Sequence, residues 1–239
     1  MINIDKDIKK IIINQFCGLG DILFSIPIVS NLHDMGYEII WPIDSSFMNI
    51  QKSFDFIKFI KKDDFFINYD SDSFIKEDDS LIIPLRYSNN LLNNGDPITC
   101  MSDKYKLVDV SLDSWKSLKW KRDFDSENKL YFDVLGLKEN DEYNLLNINF
   151  SMGEKINITD FDSNIRSVNF DIIEGFSILD WYKVIQNSTN IYTVGTSIVF
   201  MIEVIPTNRL KEYVLYARRP FENNCKYYNY LLSKPTSEI

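Results

Sequence analysis

Apolar and polar positions along the chain change period several times, and the changes mark the elements. Ile11-Ile12-Ile13 is a short continuous apolar run, as a fully buried strand makes. Cys17-Gly18-Leu19-Gly20-Asp21 follows, then apolar residues at helical spacing: Ile22, Leu23, Ile26, Ile28, Val29 and Leu32. Gly36 and a second apolar run, Tyr37 to Trp41, complete a strand, glycine turn, helix, turn and strand. This is one βαβ unit with a short connection. The glycines permit a sharp turn, and the pattern puts Asp21 at the helix start, at the carboxyl end of the first strand.

Further on, Phe56 to Ile60 is a short apolar run and Asp70 to Ser80 a polar, acidic stretch that reads as a surface loop or edge excursion. Leu81 to Leu85 reads as a buried strand ended at Pro84. Residues 89–97 carry turn chemistry, and helices are predicted over Met101 to Val110, Ser111 to Leu118 and Phe124 to Leu135, the last closed by Gly136. A second α/β set follows. Tyr143 to Phe150, Ser167 to Ile172, Asn190 to Val194 and Tyr213 to Tyr216 read as strands, and Ile178 to Gln186 and Ile198 to Ile205 as helices. The charged stretch Lys119 to Asp123 suggests a division into residues 1–122 and 123–239, with the tail from Arg218 packing back on the first half.

Composition narrows the function. The 239 residues are 45% hydrophobic and 14% aromatic, enough for substantial cores. The formal net charge of −9 disfavours nucleic acid as a partner, because neutralising phosphates takes Lys and Arg. The three cysteines, Cys17, Cys100 and Cys225, have no metal-binding spacing and fit a reducing compartment. The opening MINIDKDIKK is unlike a signal peptide, and no apolar run approaches a membrane span, so a cytoplasmic location is expected.

The candidate chemistry clusters at turns. Asp21 is either a helix cap or a general base whose carboxylate takes a proton from a hydroxyl. Gly195-Thr196-Ser197 is either an ordinary cap or a phosphate site at a helix start. Lys155 could reach a phosphate as a point charge, Glu174 could accept ribose hydroxyls, and Arg218-Arg219 could grip an anion; each also reads as a solvated surface group. Gly18-Leu19-Gly20 lacks the third glycine of a dinucleotide fingerprint, since Leu23 stands there, although Asp44 falls where an acidic ribose ligand could lie. His33 is the only histidine, which leaves few ways to build a histidine-dependent hydrolase.

Gly18-Leu19-Gly20-Asp21-Ile22-Leu23, with Pro27 and then Gly36 to Ile39, resembles the opening of the heptosyltransferase-like glycosyltransferases of family 9. Ser177 to Ile205 is similar to that family's segment near the donor site. The resemblance implies an α/β fold of GT-B type, with two Rossmann-like domains facing a cleft in a compact version. It implies inverting, metal-independent transfer of a hexosyl or heptosyl group from a nucleotide sugar to a glycan or other hydroxyl acceptor, with no further cofactor. In that scheme Asp21 is the base, Gly18, Leu19 and Gly20 shape the acceptor-side turn, and Thr196 and Ser197 bind donor phosphate. Gly195 stands where the family often has an acidic residue, and Phe200 where it often has a histidine. Two other readings are a non-catalytic nucleotide- or sugar-binding relative and an NAD-linked Rossmann enzyme using Asp44.

Overall fold

The computed structural model describes residues 4–16, 18–65, 73–85, 97–150, 155–158, 161–216, 232–234 and 237–238. The chain forms two compact units, Met1–Lys121 and Arg122–Ile239.

The first unit is built on a five-stranded sheet in the order β3-β2-β1-β5-β4. The strands are β1 (Lys10–Ile13), β2 (Glu38–Ile43), β3 (Ile57–Lys61), β4 (Ile75–Glu77) and β5 (Ser80–Ile83). β1 pairs in parallel with both β2 and β5, and only the edge strand β4 runs antiparallel. The continuous apolar run of β1 follows from this central place, because Ile11 and Ile13 are fully buried. β4 lies within the acidic stretch read as a loop or edge excursion. Its polar sequence suits an edge, with Lys76 facing Asp5 and Asp7 at 3.0 and 2.9 Å.

α1 (Leu19–Asp34) joins β1 to β2. It begins before Ile22, so Gly20 and Asp21 lie inside its first turn. Residues Ile22 to Val29 are all buried, Ser25 and Pro27 included, because the helix is covered on more than its sheet side. Phe24 meets the ring of Tyr105 at 5.1 Å, edge to face, and that of Trp115 at 5.8 Å. Tyr105 comes from α2 (Pro97–Leu107), and its hydroxyl donates to the Phe24 carbonyl at 2.6 Å. Trp115 belongs to a 3₁₀ helix, Leu112–Ser117.

The second unit has a sheet in the order β10-β9-β8-β6-β7, parallel throughout. Its strands are β6 (Tyr143–Asn147), β7 (Arg166–Asn169), β8 (Asn190–Val194), β9 (Glu212–Tyr216) and β10 (Ser237–Glu238). α3 (Phe124–Asn128) widens into a π-helical stretch, Lys129–Val134, before Gly136 turns the chain at φ +59°. A capping box of Ser177 and Asp180 opens the 3₁₀ turn Ile178–Trp181, which continues as α4 (Tyr182–Asn187). α5 (Ile198–Val204) follows β8. Between β6 and β7, Ile156, Ile158 and Phe161 pack on Leu146, Tyr192 and Val214.

Two charged groups fasten this unit. Arg122 lies over the Tyr182 ring at 3.5 Å and pairs through two nitrogens with Glu127, which is 1% exposed. Near the other end, Lys234 donates to the carbonyls of Ile202 and Ile205 at 2.7 and 2.6 Å, satisfying groups at the end of α5. Ser233 donates to Glu203 from its backbone N–H at 2.8 Å. The tail predicted to pack on the first half falls mostly on residues 217–231, outside the described residues.

Candidate functional site

In an open parallel sheet, ligands bind outside the carboxyl ends of the strands where the strand order reverses. In the first unit the chain leaves β1 for β2 on one side, while β5 pairs with β1 on the other. The reversal therefore lies at the carboxyl ends of β1 and β5. The segment that follows β1 is tied to both neighbours. Asn14 N–H donates to the Ile83 carbonyl at 2.9 Å, the Trp41 indole donates to the Gln15 carbonyl at 2.7 Å, and Asp44 N–H donates to the Phe16 carbonyl at 2.9 Å.

Gly18 then turns the chain with φ +79° and stands at the N-cap of α1 with no side chain to cap it. The reading of Asp21 as the cap is thereby corrected: Asp21 sits three residues past Gly18, within the first turn, where the positive end of the helix dipole favours its negative charge. One carboxylate oxygen, Oδ2, would lie 2.7 Å from a Cβ built on Gly18, so the carboxylate extends back over the bare glycine. The other oxygen, Oδ1, is buried and 3.3 Å from the Lys104 ammonium. The two are close enough for an ion pair but not aligned as a hydrogen bond. Lys104, on α2, is 3% exposed. Its ammonium also donates to Gln15 Oε1 at 3.0 Å and to the Leu85 carbonyl. The cluster thus joins the loops after β1 and β5 to the first turn of α1.

Asp44 follows β2 on the same edge, at the place a ribose-binding acid would take. It is already engaged. Its Oδ1 accepts from Ser46 N–H at 3.0 Å and from the Ser46 hydroxyl at 2.8 Å, and Lys62 pairs with Oδ2 at 3.2 Å. The Ser46 N–H, then the Ser46 hydroxyl and Lys62, hold its carboxyl below the usual aspartate value. Asp44 thus caps the 3₁₀ helix Ser45–Ser53, which disfavours the NAD reading. His33 is exposed in the last turn of α1 and stacks on Phe56 at 5.3 Å.

The second unit repeats the geometry. β6 pairs with β7 on one side and β8 on the other, so its reversal lies between the carboxyl ends of β6 and β8. Asn147, the last residue of β6 and 2% exposed, donates through Nδ2 to Thr193 Oγ1 at 2.7 Å and to Thr196 Oγ1 at 2.9 Å. With Thr196 Oγ1 accepting from Asn147, its own hydrogen is directed elsewhere. Gly195 is buried in the turn, while Thr196 and Ser197 are partly exposed. Ser197 occupies the N-cap position of α5, one of the two residues the capping reading offered for it, and makes no side-chain cap bond there. α5 has seven residues, so the hydroxyls, rather than a long dipole, are what this turn offers an anion.

Lys155 and Glu174 belong to the loops after β6 and β7, on the same edge. Both are exposed. Lys155 bridges back to Asn149 through the backbone, and Asn149 donates to Asp171 at 2.9 Å. Among the described residues, no hydrogen bond or ion pair joins either side chain to Thr196. Arg218, Arg219, Cys17, Cys225 and residues 152–154 lie outside the described residues. Sequence reasoning missed Lys104, Gln15 and Asn147. Only Asn147 left a signal, as a polar residue ending an apolar strand. Among the described residues, no cluster of three or more His, Cys, Asp or Glu is placed to hold a metal, and no helix is long and apolar enough to cross a membrane.

Neither a protein-family model nor a curated protein matches the chain. Among solved structures it is similar to a glycosyl transferase family 9 protein from Veillonella parvula DSM 2008, at 10% identity and a TM-score of 0.42, over 87% of this chain and 80% of that one. At that identity and TM-score the likeness by itself decides neither the fold nor the activity.

Proposed function

We propose that the chain is a glycosyltransferase that moves a hexosyl or heptosyl group from a nucleotide sugar to a hydroxyl acceptor. The observation that carries this reading is the Asp21 carboxylate. It stands at the strand-order reversal of the first sheet, with Oδ1 against Lys104 and Oδ2 extended over Gly18. That arrangement supports a role for Oδ2 as proton acceptor. The acceptor hydroxyl gives its proton to Oδ2 while its oxygen bonds to the anomeric carbon. The bond from that carbon to the diphosphate oxygen breaks, and the nucleoside diphosphate leaves with the electron pair. The anomeric configuration inverts, and no metal takes part in the proposed step.

In this scheme the donor lies against the second unit. Thr196 and Ser197 offer hydroxyls, and Lys155 a charge, to the departing diphosphate. Glu174 accepts from the ribose. The acceptor lies against the turn of Gly18, Leu19 and Gly20. A cytoplasmic location belongs to the same proposal. A second reading, a binding module without turnover, draws on the Asp21–Lys104 pair, because a carboxylate matched to a buried lysine can serve structure alone.

A thermal-shift screen against UDP-, GDP-, ADP- and CMP-sugars, with NAD(H) alongside, tests the proposal. A ligand at a hundred times its dissociation constant stabilises the folded state by about 2.7 kcal/mol. A selective shift with one sugar nucleotide is expected. A shift with NAD(H) alone, or none at all, would count against it.

A further inference from the structure

We infer that Lys104 is a positioning residue for the Asp21 carboxylate, an inference that rests on the glycosyl-transfer reading above. Burying an ammonium is costly unless it is paired and hydrogen-bonded. Lys104 is 3% exposed, and of the partners given above, Gln15 and the Leu85 carbonyl are neutral. Asp21 carries the opposing charge, 3.3 Å away. The attraction acts on Oδ1 without aligned sharing of a hydrogen, so it orients the carboxylate while leaving the proton-accepting capacity of Oδ2 unused. Gln15 and Leu85 fix the ammonium in turn, and they come from the loops after β1 and β5. Lys104 thereby sets the direction of Asp21 relative to the sheet edge against which an acceptor would lie. Gln15 supports it from the other side, itself 1% exposed.

The test uses the full chain with Lys104→Met, Asp21→Asn and the double variant, assayed with the sugar nucleotide found in the thermal-shift screen. Lys104→Met is expected to lower kcat about tenfold to a hundredfold with the donor KM unchanged, the scale of a misplaced reacting group. In the Asp21→Asn background the same substitution is expected to change kcat no further. A Lys104→Met variant that melts earlier but keeps the wild-type kcat when folded would overturn the assignment, as would independent effects in the two backgrounds. If the wild-type protein transfers no sugar, the glycosyltransferase reading fails by itself. The placement of Asp21 is then read from urea midpoints. Non-additive midpoint shifts, with the double variant more stable than Lys104→Met, support the pairing, and additive shifts overturn it. Should Lys104→Met not fold, folding of the double variant supports the assignment and its failure to fold overturns it.

Discussion

Gly18→Ala isolates the geometry on which the site depends. Two costs arise. A residue with a Cβ is strained at φ +79°, by about 1–2 kcal/mol. The new methyl would also stand 2.7 Å from Asp21 Oδ2, closer than Cβ atoms pack, so the carboxylate must leave its place over the glycine and disturb its 3.3 Å pairing with Lys104. Overpacking of this kind costs about 1–3 kcal/mol. Together they give about 2–5 kcal/mol, a large share of the stability of an ordinary domain. The two parts separate in the Asp21→Ala background. There the strain remains and the clash is gone, so Gly18→Ala should cost only about 1–2 kcal/mol. Urea unfolding followed by tryptophan fluorescence reads this out. Trp41, Trp115 and Trp120 lie in the first unit, and Trp181→Phe silences the second. Equal costs in the two backgrounds would refute the close approach of Asp21 to Gly18. A cost below about 0.5 kcal/mol in the wild-type background would refute both terms.

Three other outcomes are expected. Asp44 has a carboxyl held below its ordinary value in the folded state, so its stabilisation is present above the unfolded value of 3.8 and is lost as pH falls through the folded one. Asp44→Asn should therefore flatten the acid limb of the stability profile below about pH 5, measured by urea midpoints against pH; an unchanged limb would contradict this. Arg122→Ala leaves the 1%-exposed Glu127 without its bidentate partner and should cost about 3 kcal/mol by the same denaturation assay, with part recovered in the Glu127→Gln background. Burial lowers the pKa of Lys234 below 10.5, so the unfolded chain binds more protons there, and the stability of wild type relative to Lys234→Met should rise with pH as pH approaches 10.5.

Much of the fold is legible in the sequence where local signals and tertiary demands agree. Asn190 to Val194 reads as a strand and is one over those residues, because an apolar core strand bounded by a turn has no competing pattern. Disagreement begins where a boundary is set by backbone rather than side chain. Helix starts are sought at Ser, Thr, Asp or Asn, which directs attention to Asp21, whereas the positive φ of Gly18 starts α1 at Leu19. The strand Ile75–Glu77 is nearly hidden in its acidic surroundings because an edge strand has no apolar pattern to keep. The helix from Phe124 is present, but its widening at Lys129–Val134 has no marker in composition. At the candidate site, the position of Asp21 can be read from the βαβ pattern. Lys104 cannot. It lies 89 positions from its partner Gln15, and a lysine on a helix is by default a surface residue.

The central claim, that Asp21 takes the acceptor's proton during sugar transfer, is tested most directly by acceptor-dependent release of nucleoside diphosphate from the sugar nucleotide selected by thermal shift. Wild type and Asp21→Asn are compared after both are shown to bind that donor equally. Loss of a proton-accepting group of this kind removes about 10²–10⁴-fold in rate. The account predicts a fall in kcat of at least that lower bound with the donor affinity retained. Wild-type turnover in Asp21→Asn would contradict it.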